Sequence, residues 1–384
     1  MPLPDYKNSI VNLMSSILGA YGKKTGYQLL KSIKGAEFSG ATNIVLLVID
    51  GLGYEYLLKN GNESTLKKHL RSKLTSVFPS TTASAMTSFF TGLTPQEHGL
   101  TGWFTYLKEM GVVSTILPFT TRYGESKAEA CVEPKKIFTF KSVFERINVN
   151  SYIISHRDYV HSEFNKIACD GAKRKGYSTL NGYFSQIVRT IKSSKKKKFI
   201  CAYWGKFDSI CHREGVGSKK ALSHFQELDK KFAKFIVSLK GTGSLVIVTS
   251  DHGQIESKKS EMINLKDHPQ LQECLTLPLC GEPRTAYCYV RPSKIKIFEN
   301  YVRKNMGNYC AIYKSDDLIK KKYFGLHQSH PRLFERVGDY TLIMKDNYII
   351  RDFILGEKEH FHIGNHGGTS KEEMLIPLIV VKIN

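Results

Sequence analysis

The 384-residue sequence lacks several features that would assign a protein to a class at once. No stretch offers the roughly 18 consecutive apolar residues that a membrane-spanning helix requires. Residues 1–7 contain no basic segment followed by an apolar signal core. The eight cysteines are dispersed without a CxxC pair, which argues against a cysteine zinc site and fits a reducing compartment. We therefore expect a soluble, cytoplasmic protein with no membrane partner.

Negative charge is also scarce, and the formal net charge is +21. Lysines are densest at 195–198 and 320–322. A field of this sign attracts anionic partners and raises their rate of encounter. Lysine runs are also typical of ordinary solvated surfaces. The charge therefore leaves a nucleic-acid partner open, and nothing in the sequence specifies the oligomeric state.

What the sequence does contain is a series of short apolar runs, which are typical of strands buried on both faces of a parallel sheet. The runs cover residues 43–49, 151–155, 198–203, 244–249 and 376–382. Helical patterns such as 138–147 and 219–239 lie between them. This alternation predicts an α/β fold with a doubly wound, mostly parallel central sheet flanked by helices. Ligands of such a sheet bind at the carboxyl ends of its strands.

The remaining segments predict the domain organisation. Residues 1–40 form an N-terminal helical segment of a core that spans 1–281 and 332–384. The predicted order of elements changes to strand, helix, strand and helix at 282–331, which predicts a small inserted α+β cap subdomain there. Two runs after it, 340–344 and 348–350, predict a hairpin that returns to the core.

Carboxylates and histidines stand where the predicted strands end. Asp50 follows the first strand, and Asp251 and His252 follow the strand at 244–249. Asp208 and His212 are four positions apart, which places them on one face of a helical turn. An aspartate at a strand end is often only a cap, and a D-x-x-x-H pair is often an ordinary surface pair. The candidate metal ligands are Asp50, Asp208, His212, Asp251, His252 and, in a glycine-rich turn, His366.

A hydroxyl-rich segment, 78–92, supplies the candidate nucleophile. Pro79 ends any preceding structure, and Ser80, Thr81 or Thr82 can cap a helix that follows. A hydroxyl at a helix N-terminus is well placed to receive a phosphoryl group, because backbone N–H groups and the helix dipole favour the anion. The ordinary alternative is a threonine that only caps the helix.

The order of these motifs resembles the alkaline phosphatase superfamily, and within it the type I phosphodiesterase / nucleotide pyrophosphatase family. The resemblance covers about residues 43–103, 198–254 and 360–382. It implies two divalent metal ions per chain, zinc foremost, with manganese or magnesium as alternatives. It also implies that Thr82 is the nucleophile, through a phospho-threonine intermediate. The resemblance assigns Asp50, Asp251, His252 and Thr82 to one ion, and Asp208, His212 and His366 to the other.

Two further residues are candidates for substrate binding. Where the animal enzymes of this family carry an asparagine that binds a phosphate oxygen, this sequence has Trp103. Its ring would stack on a base or an aryl group, or else simply pack in the protein. Arg284, at the start of the cap subdomain, would supply a positive charge over the site, although an arginine there is commonly solvated or ion-paired.

The expected function is hydrolysis of a phosphodiester or phosphoanhydride bond in a small anionic substrate such as a nucleotide. Phosphonoacetate hydrolysis and phosphomonoester hydrolysis are alternatives on the same two-metal scaffold. The sequence argues against a sulfatase, because the segment Cys280 to Arg284 has the wrong spacing and the wrong place for the C-x-P-x-R motif. A polyanion-binding homologue without catalytic activity is the alternative of another class. That alternative predicts a damaged ligand set, yet every candidate ligand is present.

Overall fold

A computed structural model describes residues 4–123, 127 and 132–384. Its strands are β1 Asn43–Ile49, β2 Leu70–Thr75, β3 Phe104–Leu107, β4 Val112–Thr115, β5 Thr120–Thr121, β6 Asn150–His156, β7 Lys173–Tyr177, β8 Lys198–Trp204, β9 Ser244–Thr249, β10 Ile255–Glu256, β11 Met262–Asn264, β12 Cys280–Glu282, β13 Thr285–Cys288, β14 Cys310–Lys314, β15 Tyr340–Met344, β16 Ile349–Arg351, β17 Gly364–Asn365 and β18 Leu375–Ile383. Fourteen of these strands form two seven-stranded sheets, a large sheet of mostly longer strands and a second sheet of mostly shorter ones.

The helices connect and flank these strands. They are α1 Ile10–Ala20, α2 Gly35–Ser39, α3 Tyr54–Asn60, α4 Thr65–Lys68, α5 Thr82–Thr91, α6 Pro95–His98, α7 Val143–Arg146, α8 Glu163–Ala168, α9 Leu180–Lys192, α10 Lys206–Glu214, α11 Lys219–Ser238, α12 Pro269–Gln272, α13 Ile295–Tyr301, α14 Ser315–Lys320, α15 Leu333–Val337 and α16 Lys371–Met374. In the part of the chain that the structure describes, none of them is long and apolar enough to cross a membrane.

The large sheet has the strand order β2-β18-β9-β1-β8-β6-β7. Strand β1 runs parallel to β8 and β9, and β6 runs parallel to β8 and β7, whereas β18 is antiparallel to both of its neighbours. Every residue of β1 and β9 is buried, as expected for strands covered on both faces. The predicted α/β fold with a mostly parallel sheet is therefore confirmed, and the five predicted strands are all present.

Two strands of the large sheet were not predicted from the sequence. Strands β2 and β7 lie at its two edges, and several of their residues are exposed. Polar and charged side chains such as Lys73 and Arg174 are tolerated there, because an edge strand is only partly covered. These side chains interrupt the apolar pattern by which the inner strands were recognised.

Helices cover both faces of the large sheet. Apolar side chains of α1 and α5 pack on one face, and those of α9 and α11 pack on the other. In α11 the buried residues Phe225, Leu228, Phe232 and Phe235 recur at intervals of three or four, which aligns them on one side of the helix. The sheet is thus held between two hydrophobic layers, and its carboxyl edge is left for the loops.

The second sheet is antiparallel and has the order β14-β15-β13-β12-β3-β4-β5. Its strands come from three separate stretches of the chain, 104–121, 280–314 and 340–344. The strands of this sheet thus lie partly inside and partly outside the predicted cap subdomain, 282–331. The predicted hairpin is wrong, because β15 pairs with β13 and β14 while β16 pairs with β11. A local turn pattern does not reveal that a more distant strand competes for the same edge.

Candidate active site

The candidate metal ligands lie at the carboxyl ends of three adjacent strands of the large sheet. Asp50 follows β1 directly, and Asp251 follows β9 after one intervening residue. Asp208 lies in the first turn of α10, which begins just after β8. Because β8, β1 and β9 are neighbours in that order, their ends bring three carboxylates to one point. The carboxyl groups of all three are buried.

The histidines complete two groups of potential ligands. In one group, oxygen atoms of Asp50 and Asp251 and a nitrogen of His252 lie within 4.8 Å of one another; in the other, the same limit holds for Asp208, His252 and His366. The Nε2 atom of His252 is 3.3 Å from Asp50 Oδ1 and 3.6 Å from Asp251 Oδ2. His252 therefore stands between the two groups.

His212 adjoins the second group, with its Nε2 atom 3.2 Å from Asp208 Oδ2. The sequence thus predicted a set of six residues that the structure does bring together. The family resemblance gave His252 to one ion alone, whereas in the structure its distances place it in both groups. His366 packs against it, with the two ring centroids 3.8 Å apart and the rings nearly parallel.

Backbone carbonyl groups fix the orientation of two of the imidazole rings. The Nδ1 atom of His212 donates to the carbonyl oxygen of Gly364 at 2.7 Å, and that of His252 donates to the carbonyl of Gly253 at 3.0 Å. In each ring the Nε2 atom thereby faces the carboxylates. Histidine ligands of metals are typically held in this way by a hydrogen bond from the other nitrogen.

The electrostatics of the site are those of a cation site. Burial raises the pKa of Asp50 well above its usual value, and the neighbouring Asp208 and Asp251 raise it further. Burial also acts to raise the pKa of Asp208, but the adjacent His212 outweighs it and the net pKa is lowered. Two carboxylate oxygens, Asp50 Oδ1 and Asp251 Oδ2, are buried without any hydrogen-bond partner. Such unpaired buried acceptors are costly, and a divalent cation would satisfy them.

The donor set therefore fits two divalent cations. Carboxylate oxygen together with imidazole nitrogen is a ligand combination that zinc accepts. The two groups are Asp50, Asp251 and His252, and Asp208, His252 and His366, with His212 beside the second.

Thr82 is the first residue of α5, and its hydroxyl faces the metal ligands. Its Oγ1 atom lies 3.1 Å from His252 Nε2. The hydroxyl of Thr81 is committed elsewhere, because it donates to Glu282 Oε1 at 2.6 Å. No side chain caps the N-terminus of α5, so its first backbone N–H groups are not engaged in that way. The geometry thus favours Thr82 over Thr81 as the residue that receives a phosphoryl group.

A cavity of about 1190 Å³ opens above these residues. Loops of the large sheet form its floor, and residues of the second sheet, including Phe104 and Glu282, form part of its wall. Trp103 also lines it, while its backbone N–H donates to Glu282 Oε1 at 2.6 Å. Trp103 is therefore placed where a substrate would reach it, and its contact with substrate stays a prediction. The volume accommodates a ligand of nucleotide size.

Arg284 does not reach this cavity, so the structure corrects the prediction that it binds substrate. Its guanidinium is buried and pairs with both carboxylate oxygens of Glu373, at 3.2 and 3.0 Å. It also donates to the carbonyl oxygens of Lys345 and Tyr348. The sequence showed only an arginine at the start of a strand, and the partner that occupies it comes 89 positions later.

Several supporting residues were missed at the level of sequence. The Tyr203 hydroxyl donates to Asp50 Oδ2, and Gln254 Nε2 donates to Asp208 Oδ1 at 2.6 Å. Tyr203 lies near the end of a recognisable strand and Gln254 follows another, so their positions were a usable signal. Glu282, which joins Thr81 to the backbone of Trp103, lies on the second sheet and carried no such signal. Burial raises its pKa to about 6, against the hydrogen bonds from these two residues.

Comparisons with known proteins agree with this geometry. The family model described as type I phosphodiesterase / nucleotide pyrophosphatase matches residues 44–369. The structure is similar to that of murine ectonucleotide pyrophosphatase / phosphodiesterase 5, with 18% identity, 87% of each chain covered and a TM-score of 0.67. An inactive variant of that murine protein in complex with AMP gives 18% identity, the same coverage and a TM-score of 0.66.

A further similar structure is phosphonoacetate hydrolase from Sinorhizobium meliloti 1021 in complex with phosphonoformate. It shares 15% identity, over 88% of this chain and 90% of that chain, with a TM-score of 0.63. At these identities the structural similarity shows a common fold. No curated protein sequence matches the chain.

The matched range contains every candidate metal ligand as well as Thr82, and it extends over most of the chain. Members of this family are hydrolases of phosphoester or phosphoanhydride bonds within the alkaline phosphatase superfamily, and the fold and the buried ligand groups agree with that activity. The chain belongs to the type I phosphodiesterase / nucleotide pyrophosphatase family.

Proposed function

We propose that this protein hydrolyses phosphodiester or nucleotide pyrophosphate bonds with two bound divalent cations, zinc foremost, and with Thr82 as the nucleophile. One observation carries the proposal: the Thr82 hydroxyl lies 3.1 Å from Nε2 of His252, which belongs to both ligand groups. The hydroxyl, the ligands and the cavity thus meet at one point.

A threonine hydroxyl alone is a poor nucleophile at neutral pH and needs activation. Bound divalent cations favour its ionised form and neutralise the charge that develops on the phosphoryl oxygens. Asp50, Asp251 and His252, with Thr82, would hold one cation. Asp208, His212 and His366 would hold the other.

The chain's own residues then account for the transfer. As the Thr82 oxygen bonds to phosphorus, the bond from phosphorus to the leaving oxygen breaks, and that oxygen keeps the bonding electron pair. The hydroxyl proton of Thr82 passes to solvent. Backbone N–H groups at the start of α5 orient the phosphoryl oxygens. Water then attacks phosphorus, and the bond from phosphorus to the Thr82 oxygen breaks. The hydroxyl group of the water stays on the phosphate, and its proton restores the threonine.

Charge balance favours a diester as the substrate. Two divalent cations bring four positive charges, and three aspartates with an ionised Thr82 bring four negative ones. A neutral site of this kind suits a diester monoanion, whereas a monoester dianion calls for an additional cation at its extra oxygen. Arg284 is not available for that purpose, because Glu373 holds it. The AMP bound to the murine relative supports a nucleotide-like substrate.

Phosphonoacetate hydrolysis is the second candidate, because a hydrolase of that specificity has a similar structure. A direct comparison of a nucleotide 5′-aryl ester, an aryl monoester and phosphonoacetate tests the proposal. We expect kcat/KM for the diester to exceed that for the monoester by at least about tenfold, or roughly 1.4 kcal/mol of transition-state preference. A monoester preference of that size would contradict the diesterase assignment, and efficient cleavage of phosphonoacetate alone would favour the second candidate. No hydrolysis by metal-loaded protein would favour a non-catalytic polyanion-binding role.

A further inference from the structure

One guanidinium group on the cavity wall, that of Arg351, has no acidic partner among the residues that the structure describes. Arg351 ends β16 and is partly buried. Its Nε atom is buried and makes no hydrogen bond. Its side chain has one hydrogen-bond contact, between Nη2 and His362 Nδ1, at 3.5 Å, which is the outer limit of such a bond. Arg351 and His362 both line the cavity.

Three buried arginines differ in this respect. Arg122, Arg284 and Arg336 have side chains that are at most 4% exposed, and each pairs with a glutamate, at 2.8, 3.0 and 3.1 Å respectively. Burying a charged group is costly unless it is paired. Among the described residues, Arg351 thus differs from these three arginines, because no carboxylate pairs with its guanidinium.

The acidic groups closest to Arg351 already have partners. Glu357 pairs with Arg122, and Asp352 accepts the backbone N–H of Leu279 at 2.8 Å. Glu282 accepts from Thr81 and from the backbone of Trp103. None of these carboxylates is therefore left to pair with Arg351, and the cavity that it lines is open to an anionic group from outside the chain.

The position of Arg351 indicates which part of a ligand it would meet. Its contact residue His362 packs on His212, with ring centroids 4.6 Å apart. Arg351 is thus separated from the metal ligands by one side chain. It lies on the wall beside the reacting position, and a guanidinium binds phosphate or carboxylate oxygens in a forked arrangement.

We propose that Arg351 binds a second anionic group of the substrate, beside the phosphoryl group that Thr82 accepts. Arg351 would thereby favour phosphoanhydrides, whose leaving group is itself a phosphate, over diesters with an uncharged leaving group. The carboxylate of phosphonoacetate offers the same chemistry. This inference rests on the proposed function and names a substrate class within it.

Two substrates with a common nucleotidyl group distinguish binding of the leaving group by Arg351 from transfer of the nucleotidyl group to Thr82. A nucleoside triphosphate and the nucleoside 5′-(4-nitrophenyl phosphate) both present the same group to Thr82 and differ in whether the leaving group contains phosphate. For Arg351→Gln we expect kcat/KM to fall about 10- to 100-fold on the triphosphate, the scale of one or two hydrogen bonds to a charged group. We expect less than about threefold loss on the aryl ester. Arg351→Lys should recover part of the loss.

Lys358→Gln is the matched control, because Lys358 is exposed on the same segment and its loss removes one positive charge without touching the cavity wall. Lys358→Gln should change kcat/KM by no more than about twofold on either substrate. Phosphonoacetate is the third substrate to be tested. If Arg351→Gln lowers kcat/KM on phosphonoacetate alone, the group that Arg351 binds is a carboxylate.

Calorimetric titration of inorganic pyrophosphate into the metal-loaded protein gives a readout that needs no turnover. The affinity should fall about tenfold or more in Arg351→Gln and stay unchanged in Lys358→Gln. If the wild type cleaves no nucleotide, the proposed function fails, while this titration still tests Arg351. Equal losses on triphosphate and aryl ester, or unchanged affinity for pyrophosphate, would overturn the inference. Because Arg351 has no internal ion pair to lose, its variants should keep the wild-type melting temperature.

Discussion

The hydroxyl groups of Thr81 and Thr82 are neighbours in the sequence but contact opposite sides of the cavity. Thr81 donates to Glu282 of the second sheet at 2.6 Å, while Thr82 lies 3.1 Å from His252 at the end of the large sheet. The change of direction occurs at the start of α5, where Thr81 is still extended and Thr82 is the first helical residue. One threonine therefore supports the wall, and the other faces the ligand set.

Alanine substitutions should separate these two roles. Thr82→Ala should reduce kcat by about a thousandfold or more, because the group that forms the covalent intermediate is lost. Thr81→Ala should cost less than about tenfold, because Glu282 keeps its hydrogen bond from Trp103. Steady-state kinetics with a nucleotide aryl ester would measure both effects. A larger loss of kcat in Thr81→Ala than in Thr82→Ala would indicate that Thr81 is the nucleophile. Full activity of Thr82→Ala would indicate direct attack by water.

Metal content should follow the two ligand groups. Elemental analysis of the purified protein should find about two divalent cations per chain, and chelation should abolish activity until metal is restored. Asp251→Asn and His366→Ala should each lower the metal content and remove most of the activity while leaving the fold intact. Circular dichroism would check the fold. Full activity in exhaustively chelated, metal-free protein would refute the metal dependence.

Tyr203 should control metal affinity without contacting the metal. Its hydroxyl donates to Asp50 Oδ2 and so orients that carboxylate. Tyr203→Phe removes the donor and keeps the ring, and we expect the affinity for one of the two cations to fall about 10- to 100-fold. Competition with a chromophoric chelator would measure it. Recovery of kcat at saturating zinc would agree with a positioning role, whereas unchanged metal affinity would contradict it.

Arg284 should affect stability rather than substrate choice. Breaking its buried pair with Glu373 leaves a carboxylate without its cation, at a cost of about 3–5 kcal/mol in the free energy of unfolding. Arg284→Met should therefore unfold at a lower denaturant concentration with little change in KM. The double variant Arg284→Met/Glu373→Gln should regain part of the loss, because no unpaired charge remains. A large change in KM with normal stability would restore Arg284 as a substrate ligand.

The sequence revealed the metal ligands because each of them is tied to a pattern that can be recognised locally. Asp50 and Asp251 follow strands that are mostly apolar and buried throughout, and Asp208 follows a third strand. The ends of neighbouring parallel strands must meet, so the position of one ligand implies that of the next. For this reason the floor of the site could be predicted before any coordinates existed.

The wall of the site could not be predicted in the same way, because it depends on contacts between distant residues. Glu282 and Thr81 are 201 positions apart, and no periodic pattern connects them. Arg284 and Arg351 look equivalent as sequence, since each stands next to a short strand. They differ because Arg284 pairs with Glu373, whereas Arg351 has no such partner, since Glu357 pairs with Arg122.

Strand β18 lies between β2 and β9, although it follows both in the chain, and His366 comes just before it. On the ribosome, β9 is complete well before residues 375–383 emerge. At about 5–20 residues per second, the 134 positions from Thr249 to Ile383 take roughly 7 to 27 s to synthesise. During that time the facing edges of β2 and β9 are open to pairing with other chains. The nascent chain is therefore inert as a hydrolase and exposed to aggregation until its sheet is closed, and both conditions end with the arrival of the same segment.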